Sequence, residues 1–422
     1  MHFAIKELRK ILSVLIPEGS TVLYGPDHSK SLVESLIPAL SAEIEDKPEF
    51  LPTHVVMLSL TDEMEDIYTE LRALHKLLTP SSRVCVVTTS KLWNRLSSRF
   101  YDLEHPRRQS NWIPPSEVTN MFEQTGFEIV ENRKAVTIPF FFPLVSRVVN
   151  RWLSQLPIIR HLSVFNITTI RPLLRKIDQD PSVSIIVAAR NEAGNIRDLI
   201  VRLPILASKQ ELIFIEGGST DSTWDTIQSS IVEFSSSPNL TISAFKQTGK
   251  GKGDAVRLGF SEASGDILII LDADLSVPPE ELPRFIECLK RDKCEFANGS
   301  RLVYPMEERA MQFLNLIGNR IFGVIFSFLI GQPIRDTLCG TKALWAEDYK
   351  RLYSQRDYFG NFDPFGDFDL LFGASRLGLR IRDVPVHYKE RVYGSTNISR
   401  FSHGVLLLKM TLFAARRLRF LK

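Results

Sequence analysis

Apolar residues in the first part of the chain fall into short runs. The clearest are Thr21–Tyr24, His54–Leu60 and Arg83–Thr89, and a long stretch with helical spacing lies between the last two. Strands that alternate with helices are typical of a parallel α/β sheet. The pattern therefore predicts a small α/β domain over residues 1–138.

The strand pattern starts again after residues 139–181, a proline-interrupted stretch that we predict to be a helical connector. The runs Val183–Ala189, Glu211–Ile215 and Leu268–Leu271 each lead into polar residues. Loops at the carboxyl ends of parallel strands are where open α/β sheets bind ligands. We therefore predict a second α/β domain, which carries the function, over residues 182–400.

The run Leu268–Leu271 is followed by two acids, Asp272 and Asp274. Side chains alternate faces along a strand, so both carboxylates point the same way while Ala273 points the other. Paired carboxylates suit Mg2+ or Mn2+ bound to a diphosphate, since these ions take their other ligands from phosphate and water. An acidic turn that simply ends the strand is the alternative.

Two other loops have polar groups suited to a nucleotide. Glu216, which follows the strand Glu211–Ile215, is placed to accept hydrogen bonds from a base or ribose. The segment Gln247–Asp254 combines flexible glycines with two lysines, which suits phosphate, although it lacks the Gly-Lys-Ser/Thr ending of a Walker loop. An exposed acid and a solvated basic turn are the respective alternatives.

Composition excludes some classes of protein. A net charge of +3 over 422 residues is too small to indicate nucleic-acid binding. Four cysteines, Cys85, Cys288, Cys294 and Cys339, have no metal-ligand spacing, and the first residues lack the pattern of a signal peptide. These features predict a cytoplasmic protein without disulfides.

Membrane contact is predicted to be peripheral. The longest uncharged stretch in a helical context, residues 321–334, is shorter than the roughly 20 residues that span a bilayer. Two segments have the composition of interfacial helices: Pro139–Phe165, and a basic amphipathic helix that we predict over residues 401–422. Ordinary docking helices are the alternative. We predict association with the cytoplasmic face of a membrane.

The linked motifs of the second domain resemble family 2 glycosyltransferases of the GT-A fold, in the dolichyl-phosphate-mannose-synthase-like branch. The resemblance rests on Val187–Glu192, Glu216–Asp221, Gly265–Asp274 and Pro278–Glu280, in that order and spacing. It implies an inverting transfer of a hexose from a UDP- or GDP-sugar. Asp274, with Asp272, would bind the metal ion that neutralises the leaving diphosphate, which makes Asp274 catalytic.

The resemblance also implies a set of residues that bind the nucleotide-sugar. They are Ala189, Asn191, Glu192, Glu216, Lys252, Asp254, Asp272, Arg301, Arg391, Ser395 and Thr396. Arg391, Ser395 and Thr396 belong to an Arg-x-Tyr-Gly segment expected to close over the diphosphate. Glu216-Gly-Gly-Ser replaces the usual Asp-Asp-Gly-Ser, so the base is not specified.

The acceptor side has two candidate acids. Asp336 opens an Asp-x-x-x-Gly element, and Asp367 precedes a predicted helix, where capping is the alternative role. A hydroxyl acceptor would require Asp336 as general base, whereas an ionised phosphate acceptor would require only orientation. Met311 stands where an acceptor-binding arginine is usual, so the resemblance leaves the acceptor open.

The N-terminal part resembles a degenerate class I S-adenosylmethionine-dependent methyltransferase, in Leu77–Val87 and Pro115–Val130. The segment Gly25–Lys30 replaces the glycine-rich cofactor loop, so we expect no S-adenosylmethionine binding. For the whole chain we predict a membrane-associated, cell-envelope hexosyltransferase that uses Mg2+ or Mn2+ and a polyprenyl-phosphate or other lipid-linked acceptor. A homo-oligomer is compatible with this reading. Transfer to a soluble or polysaccharide hydroxyl, or a non-catalytic scaffold, are the alternatives.

Overall fold

The computed structural model describes residues 2–16, 22–25, 53–58, 66–90, 92–93, 115–143, 145–154, 156, 159–175, 180–305, 313–358, 366–391, 393 and 400–419. The chain forms two compact units. The first comprises Met1–Arg175, Arg376–Gly378 and Ala415–Lys422, and the second Lys176–Ser375 and Leu379–Ala414. Both units contain a sheet with flanking helices, so the predicted α/β class is confirmed.

The first unit contains one five-stranded sheet. Its strands are β1 (Val22–Gly25), β2 (His54–Leu58), β3 (Arg83–Thr89), β4 (Phe127–Ala135) and β5 (Phe165–Pro172). Its helices are α1 (His2–Leu15), α2 (Ile67–Leu77), α3 (Pro115–Gln124) and the short α4 (Val145–Val148), with single turns of π-helix at Val149–Leu153 and 3-10 helix at Ile159–Leu162. The strand order is β1-β2-β3-β5-β4, and β5 is antiparallel to both neighbours.

The region predicted as a helical connector therefore needs correction, because β5 lies within it and is an inner strand of the first sheet. Its centre, Ile167-Thr-Thr-Ile170, is a run of β-branched residues that favours a strand. Ile167 and Ile170 are buried. The prolines in this region had suggested irregular helix, but burial of the β-branched side chains decides the structure.

The second unit contains a seven-stranded sheet. Its strands are β6 (Val183–Ala189), β7 (Gln210–Glu216), β8 (Leu240–Lys246), β9 (Ile267–Asp272), β10 (Phe296–Ser300), β11 (Lys342–Trp345) and β12 (Ile381–Pro385). The strand order is β12-β10-β11-β9-β6-β7-β8, in which β11 alone is antiparallel to its neighbours.

Helices cover this sheet. They are α5 (Ala193–Arg202), α6 (Thr223–Glu233), α7 (Lys252–Glu262), α8 (Leu282–Lys290), α9 (Phe313–Ile330), α10 (Ala346–Ser354), α11 (Asp367–Arg376) and α12 (Arg400–Leu418), with 3-10 turns at Pro279–Glu281 and Arg356–Tyr358. The residues of α12 from Ala415 onward belong to the first unit. No helix in the described ranges is long and apolar enough to cross a bilayer.

Strand register fixes where the polar side chains of the second unit emerge. Ala189 at the end of β6 lies opposite Glu216 at the end of β7. Ala188 lies opposite Asp272 at the end of β9. Because the three strands are parallel, these residues share one edge of the sheet, while the apolar residues that precede them form the core.

Candidate active site

The turn after β9 has a strained backbone. Leu275, directly after Asp274, has a φ of 55°, which is uncommon for a residue with a branched side chain. The Ser276 amide donates to Asp274 Oδ1 at 3.0 Å, and the Lys389 amide donates to the Ser276 carbonyl at 2.9 Å. These hydrogen bonds hold the Asp274 carboxylate toward the sheet edge.

Each acid of the pair contacts a cation. Lys252 Nζ, at the start of α7, lies 2.5 Å from Asp272 Oδ1. Arg391 Nη2 lies 2.5 Å from Asp274 Oδ2. Burial would raise the pKa of Asp272, but the nearby charges of Lys252, Lys342 and Arg301 and the hydrogen bond from Lys252 lower it. The site therefore places a cationic side chain beside each carboxylate, an arrangement suited to a diphosphate with its counter-ion.

Two residues of this environment were not among the predicted site residues. Gly340 packs so closely that a Cβ at this position would lie 2.2 Å from both Asp272 Oδ2 and Lys252 Nζ. Lys342 is completely buried and donates to the Cys339 carbonyl. Lys342 opens the otherwise apolar strand Lys342–Trp345, and this was the available sequence signal for it. A buried lysine is rare without a compensating environment.

Glu192 lies in the electrostatic field of the acid pair. Burial raises the pKa of Glu192 to about 7, the charges of Asp274 and Asp272 add to the increase, and the hydrogen bond from Asn195 and the charge of Arg391 oppose it. Asn195 Nδ2 donates to Glu192 Oε2 at 2.6 Å. Glu192 is therefore protonated in part of the molecules near neutral pH, which limits mutual repulsion among the three acids.

Asn191 and Glu216 hold the two loops at the ends of β6 and β7. Asn191 adopts a φ of 57°, its Oδ1 accepts from the Thr220 amide at 2.8 Å, and its own amide donates to Ser219 Oγ at 3.0 Å. Glu216 is buried, and its Oε1 accepts from the Ser219 amide at 2.5 Å. Both predicted nucleotide-binding residues therefore shape the loops. Because the Glu216 carboxylate accepts a hydrogen bond from its own loop, it has less hydrogen-bonding capacity left for a nucleotide base.

Asp254 has a similar local partner. Gln247 Nε2 donates to Asp254 Oδ2 at 2.9 Å and to the Gly251 carbonyl at 2.8 Å. A Cβ at Gly249 would lie 2.3 Å from Asp254 Oδ2, so only glycine allows the loop to pass this close. The glycine- and lysine-rich loop is therefore wrapped around Asp254, and Lys252 is presented to Asp272.

Asp336 is the centre of a buried polar cluster. It accepts from Arg301 Nε at 2.7 Å, from Arg301 Nη2 at 2.8 Å and from Asn319 Nδ2 at 2.8 Å. Burial would raise the pKa of Asp336, but the Arg301 guanidinium and these hydrogen bonds lower it to about 2. The Arg301 guanidinium also lies over the Tyr388 ring, 5.0 Å from its centroid.

Some predicted residues cannot be placed. Ser395 and Thr396 lie outside the described residues, and Asp367 is described only as the first residue of α11, without its side chain. Of the same segment, Arg391 contacts Asp274, and Tyr393 donates to Asp221 Oδ2 at 3.4 Å. A Cβ at Gly194 would lie 2.6 Å from the Tyr393 ring. Tyr393 therefore packs against the start of α5.

The acid pair offers oxygen ligands for a divalent ion. In the described part of the chain, no group of three or more His, Cys, Asp or Glu side chains could hold a metal. The hard oxygens of Asp272 and Asp274 fit Mg2+ or Mn2+ if a diphosphate and water complete the coordination sphere.

Most of the second unit is similar to a known protein family. Residues 184–357 match the family model described as glycosyl transferase family 2. This part of the second unit is therefore similar to family 2 glycosyltransferases. This match covers β6 to α10 and thus Asp272, Asp274, Arg301 and Asp336, and the predicted GT-A fold class is confirmed with it.

Two curated relatives and one solved structure illustrate the similarity. The dolichol-phosphate mannosyltransferase of Pyrococcus furiosus is 38% identical over 124 residues, which are 29% of this chain and 33% of that protein. The undecaprenyl-phosphate 4-deoxy-4-formamido-L-arabinose transferase of Salmonella choleraesuis is 26% identical over 221 residues, which are 51% of this chain and 62% of that protein. The chain therefore spans from a third to under two thirds of these relatives.

The solved structure is the glucosyl-3-phosphoglycerate synthase of Mycobacterium tuberculosis with Mn2+, UDP and glucosyl-3-phosphoglycerate. It aligns at a TM-score of 0.40 and 19% identity, over 56% of this chain and 80% of that chain. The methyltransferase-like character of the first unit stays a prediction.

Proposed function

We propose that this protein transfers a hexose from a UDP- or GDP-sugar to a polyprenyl phosphate, with inversion at the anomeric carbon. The observation that supports this most is the paired arrangement of Asp272 with Lys252 and Asp274 with Arg391. Two carboxylates to hold a cation, next to two cations to hold phosphate oxygens, match the charge pattern of a metal-bound diphosphate. A scaffold protein has no need of such a set.

In this proposal Asp272 and Asp274 hold Mg2+ or Mn2+. When bound there, the ion would supply positive charge against the leaving diphosphate. Arg391 contacts Asp274, and we propose that its guanidinium binds the diphosphate of the donor beside that carboxylate. Lys252 keeps Asp272 ionised and oriented, and Asn191 and Glu216 hold the loops on which the nucleotide rests.

The state of Asp336 favours a phosphate acceptor over a hydroxyl acceptor. A general base works best when its pKa is near the working pH, whereas the pKa of Asp336 is about 2 and both of its oxygens accept hydrogen bonds from Arg301. We therefore assign Asp336 the role of orienting Arg301. An ionised phosphate acceptor has no proton to lose during attack. A lipid phosphate would therefore require only orientation at this position. The two curated relatives carry dolichol phosphate and undecaprenyl phosphate in their names.

Helix α9 supports a lipid acceptor at a membrane surface. Its buried face carries Asn319, which donates to Asp336. Its opposite face exposes Ile317, Ile321 and Val324, the last at 72% exposure, spaced as on one side of a helix. A helix that contacts the acceptor-side cluster and presents an apolar stripe to solvent is suited to lie on a bilayer. We propose that this stripe, rather than the C-terminal tail alone, meets the membrane.

The tail contributes less positive charge than its sequence suggests. Arg416 and Arg417 are exposed, whereas Leu418 is buried. Arg419 is 3.9 Å from the buried Glu131, so its charge is used inside the first unit. The exposed Leu408 and Leu412 leave a short apolar stripe on α12.

A screen of nucleotide-sugars by thermal shift, with and without Mn2+, tests the proposal. We expect one UDP- or GDP-sugar to stabilise the protein only when Mn2+ is present, because a ligand that binds the folded state raises apparent stability. Asp274→Ala should abolish this shift and lower turnover by roughly 100-fold or more. Stabilisation that is equal without metal, or unaltered in Asp274→Ala, would refute the metal-diphosphate assignment.

A further inference from the structure

The turn between α8 and β10 brings two cysteines together. Cys288 Sγ and Cys294 Sγ are 2.6 Å apart. Neither forms a disulfide in the structure. Cys294 is fully buried in the core of the second unit, while Cys288 is partly exposed. Sulfur atoms at this separation are closer than two thiols that merely pack together.

Local hydrogen bonds explain why two cysteines that are six residues apart in sequence are in contact. The Lys293 amide donates to the Cys288 carbonyl and the Asp292 amide to the Leu289 carbonyl, each at 3.0 Å. Asp292 has a φ of 51°. Together these features form a Schellman motif, which reverses the chain at the end of a helix and returns the following residue to the last turn. Cys294 is therefore held over Cys288 by the backbone.

We propose that Cys288 and Cys294 are a site of reversible oxidation, at which hydrogen peroxide or a low-molecular-weight disulfide converts the two thiols into an intramolecular disulfide. With peroxide, the Cys288 sulfur attacks one oxygen, the O–O bond breaks, and a sulfenic acid and water form. The Cys294 sulfur then attacks the Cys288 sulfur, and the sulfenic oxygen leaves as a second water with the remaining thiol proton.

The order of these steps follows from exposure. Cys288 is the thiol that an oxidant can reach, and Cys294, fully buried beside it, is placed to resolve the sulfenic acid before further oxidation. Cys85 and Cys339 are also fully buried. Burial raises the pKa of each of these two thiols to about 12, so they serve as internal controls that stay reduced.

The disulfide would stabilise the glycosyltransferase domain without altering its site. Cys294 precedes β10, and Arg301 follows the other end of that strand. The turn already has the reversed path, so the bond mainly restricts the unfolded chain. This inference does not depend on the proposed activity. The sequence-based expectation of a protein without disulfides is revised for oxidising conditions only.

Peptide mapping tests the proposal directly. The full-length protein is treated with hydrogen peroxide or glutathione disulfide, alkylated under denaturing conditions and digested with trypsin without reductant. Lys290, Arg291 and Lys293 separate the two cysteines, so the bond would join peptide 285–290 to peptide 294–301. We expect this linked pair, lighter by two hydrogens than its parts and released by dithiothreitol, with Cys85 and Cys339 alkylated.

Stability supplies a second measurement. Oxidation should raise the melting temperature of the wild-type protein by roughly 5 °C, and dithiothreitol should reverse the change. Cys288→Ser, at the partly exposed position, should fold normally and lose both the linked peptide and the shift. Alkylation of all four cysteines after oxidation, sulfinic acid at Cys288 beside an alkylated Cys294, or an equal shift in Cys288→Ser would each overturn the proposal.

Discussion

The pairs Lys252 with Asp272 and Arg391 with Asp274 show how single residues prepare this site for its ligand. Each acid contacts one cation at 2.5 Å. Leaving a carboxylate buried beside another without such partners would cost several kcal/mol or force protonation. The pKa of Glu192 is about 7, so its protonation relieves the electrostatic repulsion between Glu192 and the acid pair.

Replacing Asp336 with Asn should remove a pH-dependent part of the stability. The pKa of Asp336 is lowered from 3.8 to about 2, so its contribution is present above pH 3.8 and is lost as the pH falls toward 2. Asp336→Asn leaves Arg301 buried without its counter-ion and should cost about 3–5 kcal/mol near neutral pH. Urea unfolding between pH 2 and 7 measures this.

Asp198→Asn is the matched control for Asp336→Asn. Asp198 pairs with Arg202 at 3.2 Å on the surface of α5, and its side chain is 53% exposed. Its loss should change stability by no more than about 0.5 kcal/mol. A similar loss in the two variants, or a pH profile of Asp336→Asn parallel to that of the wild type, would contradict the buried-pair account.

Gly340→Ala should disturb the acid pair directly. Its Cβ would lie 2.2 Å from Asp272 Oδ2 and Lys252 Nζ, so one of these groups must move. We expect a loss of about 1–3 kcal/mol and weaker binding of Mn2+ with a nucleoside diphosphate. Gly318→Ala is the control, because no atom of the described residues outside its own helix backbone lies within 4 Å of its Cβ position, and alanine favours helix. Equal calorimetric binding by both variants would count against the close-approach role.

At the scale of elements, helix α9 has one face that contacts Asp336 and an opposite, exposed face that is apolar. Asn319 on the first face reaches Asp336, and Ile321 and Val324 on the second are exposed. An exposed apolar stripe this close to the Asp336 cluster has a physical explanation if, as proposed, the acceptor is held in a bilayer. The tail helix α12 has a similar but shorter stripe at Leu408 and Leu412.

The double variant Ile321→Ser/Val324→Ser should bind anionic liposomes roughly tenfold more weakly than the wild type, because less apolar surface enters the interface. Vesicle flotation measures the bound fraction. Val201→Ser/Val232→Ser is a matched control, since those valines are equally exposed on α5 and α6. If both pairs lower binding alike, or neither does, α9 is not the docking surface.

At the scale of the whole molecule, the chain contains two α/β units: the second is similar to family 2 glycosyltransferases, and the role of the first stays a prediction. The first unit has a sheet in which β5 is inserted antiparallel between β3 and β4. Its β1 ends at Gly25, and the residues that follow in place of a glycine-rich loop lie outside the described ranges.

Isothermal titration should show no binding of S-adenosylmethionine to the full-length protein. The segment Gly25-Pro-Asp-His-Ser-Lys30 has one glycine where a cofactor loop needs several for close backbone approach. Binding of UDP or GDP with Mn2+ in the same preparation would serve as the positive control. A saturable signal with S-adenosylmethionine would mean that the first unit is a working methyltransferase-like domain.

The sequence by itself determined the class of fold and the main elements of the catalytic unit. Strand runs that end in polar loops, and the acids Asp272 and Asp274 at the end of one such run, predict a ligand site at the sheet edge because alternation along a strand is a local property. The cysteine turn is local too, although sequence spacing alone gave no reason to pair Cys288 with Cys294.

Only the tertiary structure decided which groups meet across the chain. The pairing of Arg391 with Asp274, the close approach of Gly340 to Asp272, and the low pKa of Asp336 all arise between residues far apart in sequence. The strand Phe165–Pro172 was missed for the same reason, since its partners β3 and β4 stabilise it from both sides. Local pattern sets what each segment can form, and packing with distant partners selects the contact and charge that each side chain finally has.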